Sequence, residues 1–530
     1  MDGLHHNFKL KYGKYQFQVS LIVVLTSFIL PVVILIMPMM QRRPDFFYIT
    51  TNGQKILVDK DQFCNKIYYS MSFDEIYDKI EIDYTKIDNW AADLKFVCNT
   101  KNIFSLATSV YFIGSAASNY GLSKVPDNYG RRKIFIILNI VTSIALFQLC
   151  FLYHYAQIII SSFILGLASL NLSIGSIILN ETLDPYTSGL VMGIANAMFP
   201  LSGIINTLII YFFSSWKIFY FFVCLVSLLA CYLSIYYLKE SPKWLLDNGK
   251  ITSYIITMKY IILLNGHENE HKEMEFIFKN EYGQISDSER DGYTECPSSD
   301  SEDENKQKFS SNFNTLKTMN FTYENKSSYE IIDIFTYNSL RTISIITFYL
   351  WVLTGFSFFG LLLNLENLTG NIFVDSLVSY SGELLAEIIS GYLANIYGKD
   401  VVYYSLVLTT VSSIGFSFIN NFYVRIPLLF LSSIGISSGF NVLYIFTPQY
   451  YPTNVRALAL SFFSLSNRIA AGFVPTFLNF FDNLILIIGI LSGIGSILLR
   501  LLPDVLDYKS GSDIAEKKII RKFSKSIKNI

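Results

Sequence analysis

The chain of 530 residues is 52% hydrophobic and 16% charged, well below the roughly 25% charged residues of an ordinary soluble domain. Its formal net charge of −1 leaves no basic footprint for nucleic acid. The six cysteines form no CxxC or Cys/His cluster and no Walker motif is present, so a metal site, a bound cofactor and ATP-driven pumping are not expected.

Taken in chain order, residues 1–16 are polar. The apolar stretch Phe17–Met40 follows. It is too long for a secretory h-region of about 7–15 residues and reads as a first membrane helix. Residues 41–102 form a long loop holding Cys64 and Cys98. Five further apolar spans run over Ile103–Val125, Ile134–Tyr155, Gln157–Leu179, Leu190–Phe213 and Trp216–Leu238. Each is long enough to cross a bilayer, allowing for tilt. Cys150, Cys224 and Cys231 lie in these stretches and read as inert packing residues.

A polar segment, 239–339, comes next. Its middle, Ser286 to Lys308, is rich in Ser, Asp and Glu and reads as a disordered acidic insert. Six more spans run over Leu340–Leu363, Asn371–Ala394, Val401–Ile419, Ile426–Phe446, Ala457–Phe480 and Leu484–Leu502. Residues 503–530 have the pattern of a short basic amphipathic helix suited to anionic lipid. The expected fold is an all-α membrane protein of twelve helices in two six-helix bundles, 17–238 and 340–502.

Lys and Arg in short loops set orientation. Arg131, Arg132 and Lys133 follow the second span. Both termini and the central segment are therefore expected in the cytosol, and the 41–102 loop outside. Cys64 and Cys98 then lie in an oxidising compartment, where they either pair or remain two thiols.

Several motifs carry more. The loop after the second span reads Ser-Lys-Val-Pro-Asp127-Asn-Tyr-Gly130-Arg131-Arg132-Lys133. After the sixth span comes Glu240-Ser-Pro-Lys243-Trp-Leu-Leu. Across the tenth span comes Phe440-Asn441-Val-Leu-Tyr444-Ile-Phe-Thr-Pro-Gln449-Tyr-Tyr-Pro-Thr-Asn-Val-Arg456. Trp351 precedes Phe358-Phe359-Gly-Leu in the seventh. The first resembles the signature loop of the major facilitator superfamily. The others resemble its organic ion transporter family, which covers organic cation, organic anion and carnitine carriers. Ser123 and Asn128 depart from the signature.

The resemblance implies alternating access around a cavity between two halves. It implies a cytoplasmic gate built from Asp127, Gly130, Arg131, Arg132, Glu181, Glu240, Lys243, Gln449 and Arg456. Asn395 and Gln449 stand where the second half would hold acids, so a weakened inner gate is expected.

Ionisable residues inside spans are costly, roughly 2.5–3.5 kcal/mol on insertion scales, and tend to face a cavity or a partner. Glu383 and Glu387 lie four apart in the eighth span, and Arg468 lies in the eleventh. The family typically has Arg at this position in anion and carnitine carriers. Arg468 thus favours a carboxylate, which it can meet with a bidentate fork, and the two glutamates add a place for a cation. The alternative is an internal Glu–Arg pair. Asn441, Tyr444, Trp351, Phe358 and Phe359 complete the expected site, with packing as the competing role for the aromatics.

The expected function is secondary transport of a small organic ion, a zwitterion or carboxylate ahead of a cation, with a proton or sodium as possible coupling ion. The plasma membrane is the expected location. The other class open to the chain is a transport-inactive receptor on the same fold. No His/Cys/Ser constellation points to an enzyme.

Overall fold

A computed structural model describes residues 12–266, except for 43–44, 50–54, 59–62, 65–79, 84–87, 97, 99, 123 and 214, and residues 335–502, except for 336–337, 366–367, 452 and 482. The acidic insert with Cys296, the first eleven residues and the basic tail lie outside the described residues.

Helices occupy all twelve apolar stretches. The first span is α1 (Lys14–Ile29) and α2 (Val32–Met40). They part at Leu30 and Pro31, where proline brings no N–H to the helical ladder. Next come three short strands, β1 (Asp45–Ile49), β2 (Lys55–Val58) and β3 (Ile80–Asp83), and the one-turn helix α3 (Trp90–Asp93). The remaining helices of the first half are α4 (Thr100–Gly121), α5 (Val125–Tyr129), α6 (Arg131–Cys150), α7 (Tyr155–Ala168), α8 (Leu170–Thr182), α9 (Pro185–Phe213) and α10 (Trp216–Tyr237). The fourth span is divided at Ser169, whose N–H is shared between the carbonyls of Leu165 and Gly166. Two helices follow the first half, α11 (Pro242–Asp247) and α12 (Ile251–Asn265). The second half comprises α13 (Asn338–Leu363), α14 (Ile372–Tyr397), α15 (Asp400–Phe418), α16 (Phe422–Tyr450), α17 (Thr453–Phe480) and α18 (Leu484–Arg500).

By length and composition, eight of these spans could cross a membrane. The exceptions are α4, α14, α17 and α18. The last is 17 residues long. The other three carry more polar side chains for a structural reason. Helix α4 packs on α17 and α14 packs on α9, so these helices form the seam between the halves. Polar residues on them such as Thr108, Ser115, Ser379, Glu383 and Asn467 are buried in the protein, away from lipid, where such groups would be costly.

The strands form an antiparallel sheet in the order β2-β1-β3, with Phe46 opposite both Val58 and Ile82. Its small core is Phe46, Phe63 and Cys64. Cys64 is joined to Cys98 across 34 residues. In the chain-entropy account a loop of that size contributes about 3–4 kcal/mol. We expect Cys98→Ser to loosen this module without unfolding the bundle. Limited proteolysis checks it: faster cleavage within 41–99 is expected, with the helical signal kept.

Buried apolar side chains form three large clusters that define two ends of the bundle. One cluster joins both halves at the end nearest the sheet, from Phe28 to Met40, Phe104 and Tyr220 to Leu362, Tyr380 and Val474. At the opposite end, which carries Arg131 to Lys133, each half has a core of its own. One is built on Tyr15, Phe135, Ile174 and Leu238, the other on Trp351, Val442, Tyr450 and Phe463. The halves are thus fused at the sheet end and separate at the basic end.

Candidate functional site

At the basic end, Gly130 links α5 to α6 at φ +103°, a conformation that favours glycine. There is also no room for a side chain, since a Cβ here would stand 2.5 Å from Glu240 Oε2. Glu240 accepts N–H groups from Arg131 at 2.9 Å, Arg132 at 3.1 Å and Ser241 at 3.1 Å. A carboxylate on the open N–H groups of α6 satisfies donors that lack helical partners and complements the helix dipole. The Arg131 guanidinium is ion-paired to Glu181 and lies 3.4 Å from Asp127. Ser241 Oγ donates to Glu181 at 2.6 Å, and the Trp244 indole donates to the Asp127 carbonyl at 2.7 Å.

Of the expected gate residues, Asp127, Gly130, Arg131, Glu181 and Glu240 come together here. Arg132 turns away to the Ile235 carbonyl, 2.9 Å distant. Lys243 is exposed and makes no ion pair among the described residues. Gln449 is exposed, and Arg456 is exposed with Nε 3.3 Å from the Tyr451 carbonyl. Neither joins the cluster. Ser241 and Trp244 complete it, and both sit in the Glu-Ser-Pro-Lys-Trp run.

The seam between the halves holds the intramembrane charges. Arg468 on α17 donates to Ser115 on α4, across the halves. Ser115 is in turn 2.8 Å from the Ser169 hydroxyl. The Arg468 Nε has no partner among the described residues. One turn away Ser109 donates to the Gly472 carbonyl at 2.8 Å. Next to Arg468, Asn467 is buried and donates to the Trp351 carbonyl at 2.9 Å, with Gly355 leaving it space.

On α14, Glu383 is buried, 3% exposed, and its Oε2 has no hydrogen-bond partner among the described residues. Glu387 lies one turn further toward the basic end and is partly exposed. No ion pair joins either glutamate to Arg468 among the described residues, so the internal pair weighed above is not formed in this conformation.

An aromatic series connects the two charged regions. Phe112 meets Phe359 at 4.5 Å, Phe359 meets Phe358 at 5.1 Å, and Phe358 stacks on Phe440 at 5.4 Å. Phe440 meets Tyr444 at 5.4 Å, and Tyr444 meets Trp351 at 4.6 Å. Phe358 also meets Phe199 of the first half at 5.6 Å. Asn441, beside Phe440, donates to Ser390 at 2.9 Å, one turn from Glu387. Trp351 differs from the expected role. It is fully buried, with its indole N–H committed to Thr447 at 2.9 Å, and it supports Tyr444 from behind. Ser115, Ser169 and Asn467 were not among the expected residues. An uncharged polar residue in an apolar helix gives little signal, because such residues occur throughout spans.

Comparison with known proteins agrees with this architecture. The Major Facilitator Superfamily profile matches residues 90–475, well over half of the chain. The chain is 23% identical to Organic cation transporter 1 of Caenorhabditis elegans over 437 residues, 80% of this chain and 68% of that protein. It is 23% identical to Solute carrier family 22 member 4 of Mus musculus over 419 residues, 76% of this chain and 66% of that protein. It is 20% identical to Organic cation/carnitine transporter 2 of Homo sapiens over 428 residues, 77% of this chain and 68% of that protein. The match thus spans about two thirds of the length of these relatives. Among solved structures, the inward open xylose transporter XylE from E. coli shares the fold with a TM-score of 0.56, at 12% identity over 92% of this chain and 96% of that one. The two six-helix halves, the capped Gly130 turn and these matches lead to one assignment: the chain belongs to the Major Facilitator Superfamily of membrane transporters, and within it resembles the organic ion transporter family.

Proposed function

We propose that the chain is a secondary carrier of small organic ions, with zwitterions or carboxylates ahead of simple cations. The observation that carries this reading is the unpaired state of the seam charges. Among the described residues Arg468 contacts a neutral hydroxyl and one Glu383 oxygen accepts no hydrogen bond. Charges held in a low-dielectric bundle without partners are expensive. A ligand bearing both a carboxylate and a cationic group relieves both. The carboxylate meets the guanidinium, and the cationic group lies among the glutamates and the ring faces of Phe358, Phe359 and Tyr444. Opening at the basic end supplies one access state, and separation of the sheet-end core supplies the other.

The second reading, an organic cation carrier, is favoured by two carboxylates standing against one arginine. On either reading the termini and the Arg131 to Lys133 loop face the cytosol of a cell whose plasma membrane holds the protein. Purified protein in vesicles, given a labelled aromatic carboxylate, tetraethylammonium and carnitine, decides between them. Saturable carnitine or carboxylate uptake that exceeds tetraethylammonium uptake is expected. Saturable uptake of tetraethylammonium alone would establish the cation reading, and saturable uptake of none of the three would leave the transport-inactive receptor.

A further inference from the structure

The sheet end is closed by contacts between halves, and one side chain makes two of them. Tyr380 on α14 is fully buried. Its hydroxyl donates to the Leu35 carbonyl of α2 at 2.7 Å. Its ring covers Gly203 of α9 so closely that a Cβ there would stand 2.7 Å from ring carbons. A glycine with that clearance is what lets a tyrosine ring seat against the facing helix backbone. Seven residues along α14, Phe373 meets Tyr211 of α9 at 5.4 Å. These two contacts fix α9 and α14 as antiparallel neighbours. Continued toward the basic end, the register brings Gly193 opposite the stretch that holds Gly391. There the two glycines have open space beside them: a Cβ at Gly193 or Gly391 would meet nothing within 4 Å.

We infer that Tyr380 is the pin of the sheet-end gate, and that releasing it accompanies closure of the α9–α14 seam at the basic end. Splitting the fused core requires Tyr380 to leave both Leu35 and the notch at Gly203, because its helix belongs to one half and both partners to the other. The residue stands one turn from Glu383 and gives its hydroxyl to a backbone carbonyl of the other half, so its part in the cycle is positioning. Movement of α14 around a ligand held at Glu383 reaches the pin directly through a single helical turn. The inference concerns the gate alone and does not depend on which ion is carried.

Thiol cross-linking tests it without substrate. Gly193→Cys and Gly391→Cys are placed together in protein whose Cys150, Cys224, Cys231 and Cys296 are replaced by alanine, and a short bis-maleimide reports approach of the two helices at the basic end. Tyr380→Phe keeps the ring and removes the bond to Leu35. It is expected to raise cross-link yield about threefold to tenfold, the population change that follows losing one buried hydrogen bond present in one state only. Gly203→Ala, which displaces the ring from the other side, is expected to raise it as well. Tyr397→Phe, exposed on the same helix, should leave it unchanged. Yields equal to the parent in both Tyr380→Phe and Gly203→Ala, in protein that elutes as a single peak, would overturn the inference. Should Tyr380→Phe fail to fold, Gly203→Ala alone decides it. A failed uptake assay does not touch this result, so the two readings stand or fall separately.

Discussion

Arg468→Ala lowers uptake of an organic carboxylate at least about tenfold, while tetraethylammonium uptake changes less. A charge-assisted hydrogen bond contributes about 1.5–3 kcal/mol, and each 1.4 kcal/mol is roughly tenfold in an equilibrium constant. Arg468 is the cationic side chain of the seam that reaches across the halves, and its contact there, Ser115, is neutral. Removing it takes away the carboxylate's partner and leaves no buried counter-charge behind. Glu383→Gln has the opposite signature: tetraethylammonium uptake falls and carboxylate uptake holds. Carnitine, needing both, falls in each variant. Vesicle uptake at several concentrations separates binding from turnover. Loss of cation uptake with carboxylate uptake intact in Arg468→Ala would sink this assignment of roles.

Gly130→Ala should cost more in folded protein than other single-methyl changes at the basic end. Two penalties meet at that residue. The backbone sits at positive φ outside the left-handed helical region, a sparsely populated conformation that costs an L side chain about 1–3 kcal/mol. The added carbon would also collide with the Glu240 carboxylate at 2.5 Å. Moving Glu240 uncaps α6 and disturbs Ser241, which contacts Glu181. Capping losses are typically about 1 kcal/mol. We expect the apparent melting temperature in detergent to fall by several degrees, with a parallel fall in surface amount. Gly121→Ala is the matched control, because a Cβ there meets open space. A Gly130→Ala melting point equal to that of the control would show that the turn relaxes freely.

Much of the fold is legible in the sequence because hydropathy is a bulk signal. Twelve stretches of about 20 apolar residues admit few alternatives to twelve helices. The breaks inside the first and fourth spans are harder to read. Pro31 and Ser169 are single residues in apolar runs, and proline is tolerated inside α9, α16 and α17 at Pro200, Pro427, Pro448 and Pro475. The sheet in 41–102 leaves little signal in the sequence. Its strands are four or five residues long, and its order places the first strand, β1, between two partners that both follow it in sequence. Charged residues stand out against apolar neighbours, so Arg468, Glu383 and Glu387 are legible as candidates in the sequence. Tyr380 is not, since the bundle is rich in tyrosine and its contact with Gly203, 177 positions earlier, is visible only in the packing.

The charge cluster around Arg131 has a further consequence. Asp127, Arg131, Glu181 and Glu240 all belong to the first half and its following segment, while Gln449 stands exposed in the second. Such a cluster moves as one piece and pulls nothing toward the other bundle. Raising ionic strength screens exposed charges and spares half-buried ones. Salt should therefore act on this protein as a mild stability variable, with little leverage over which side of the membrane the cavity faces.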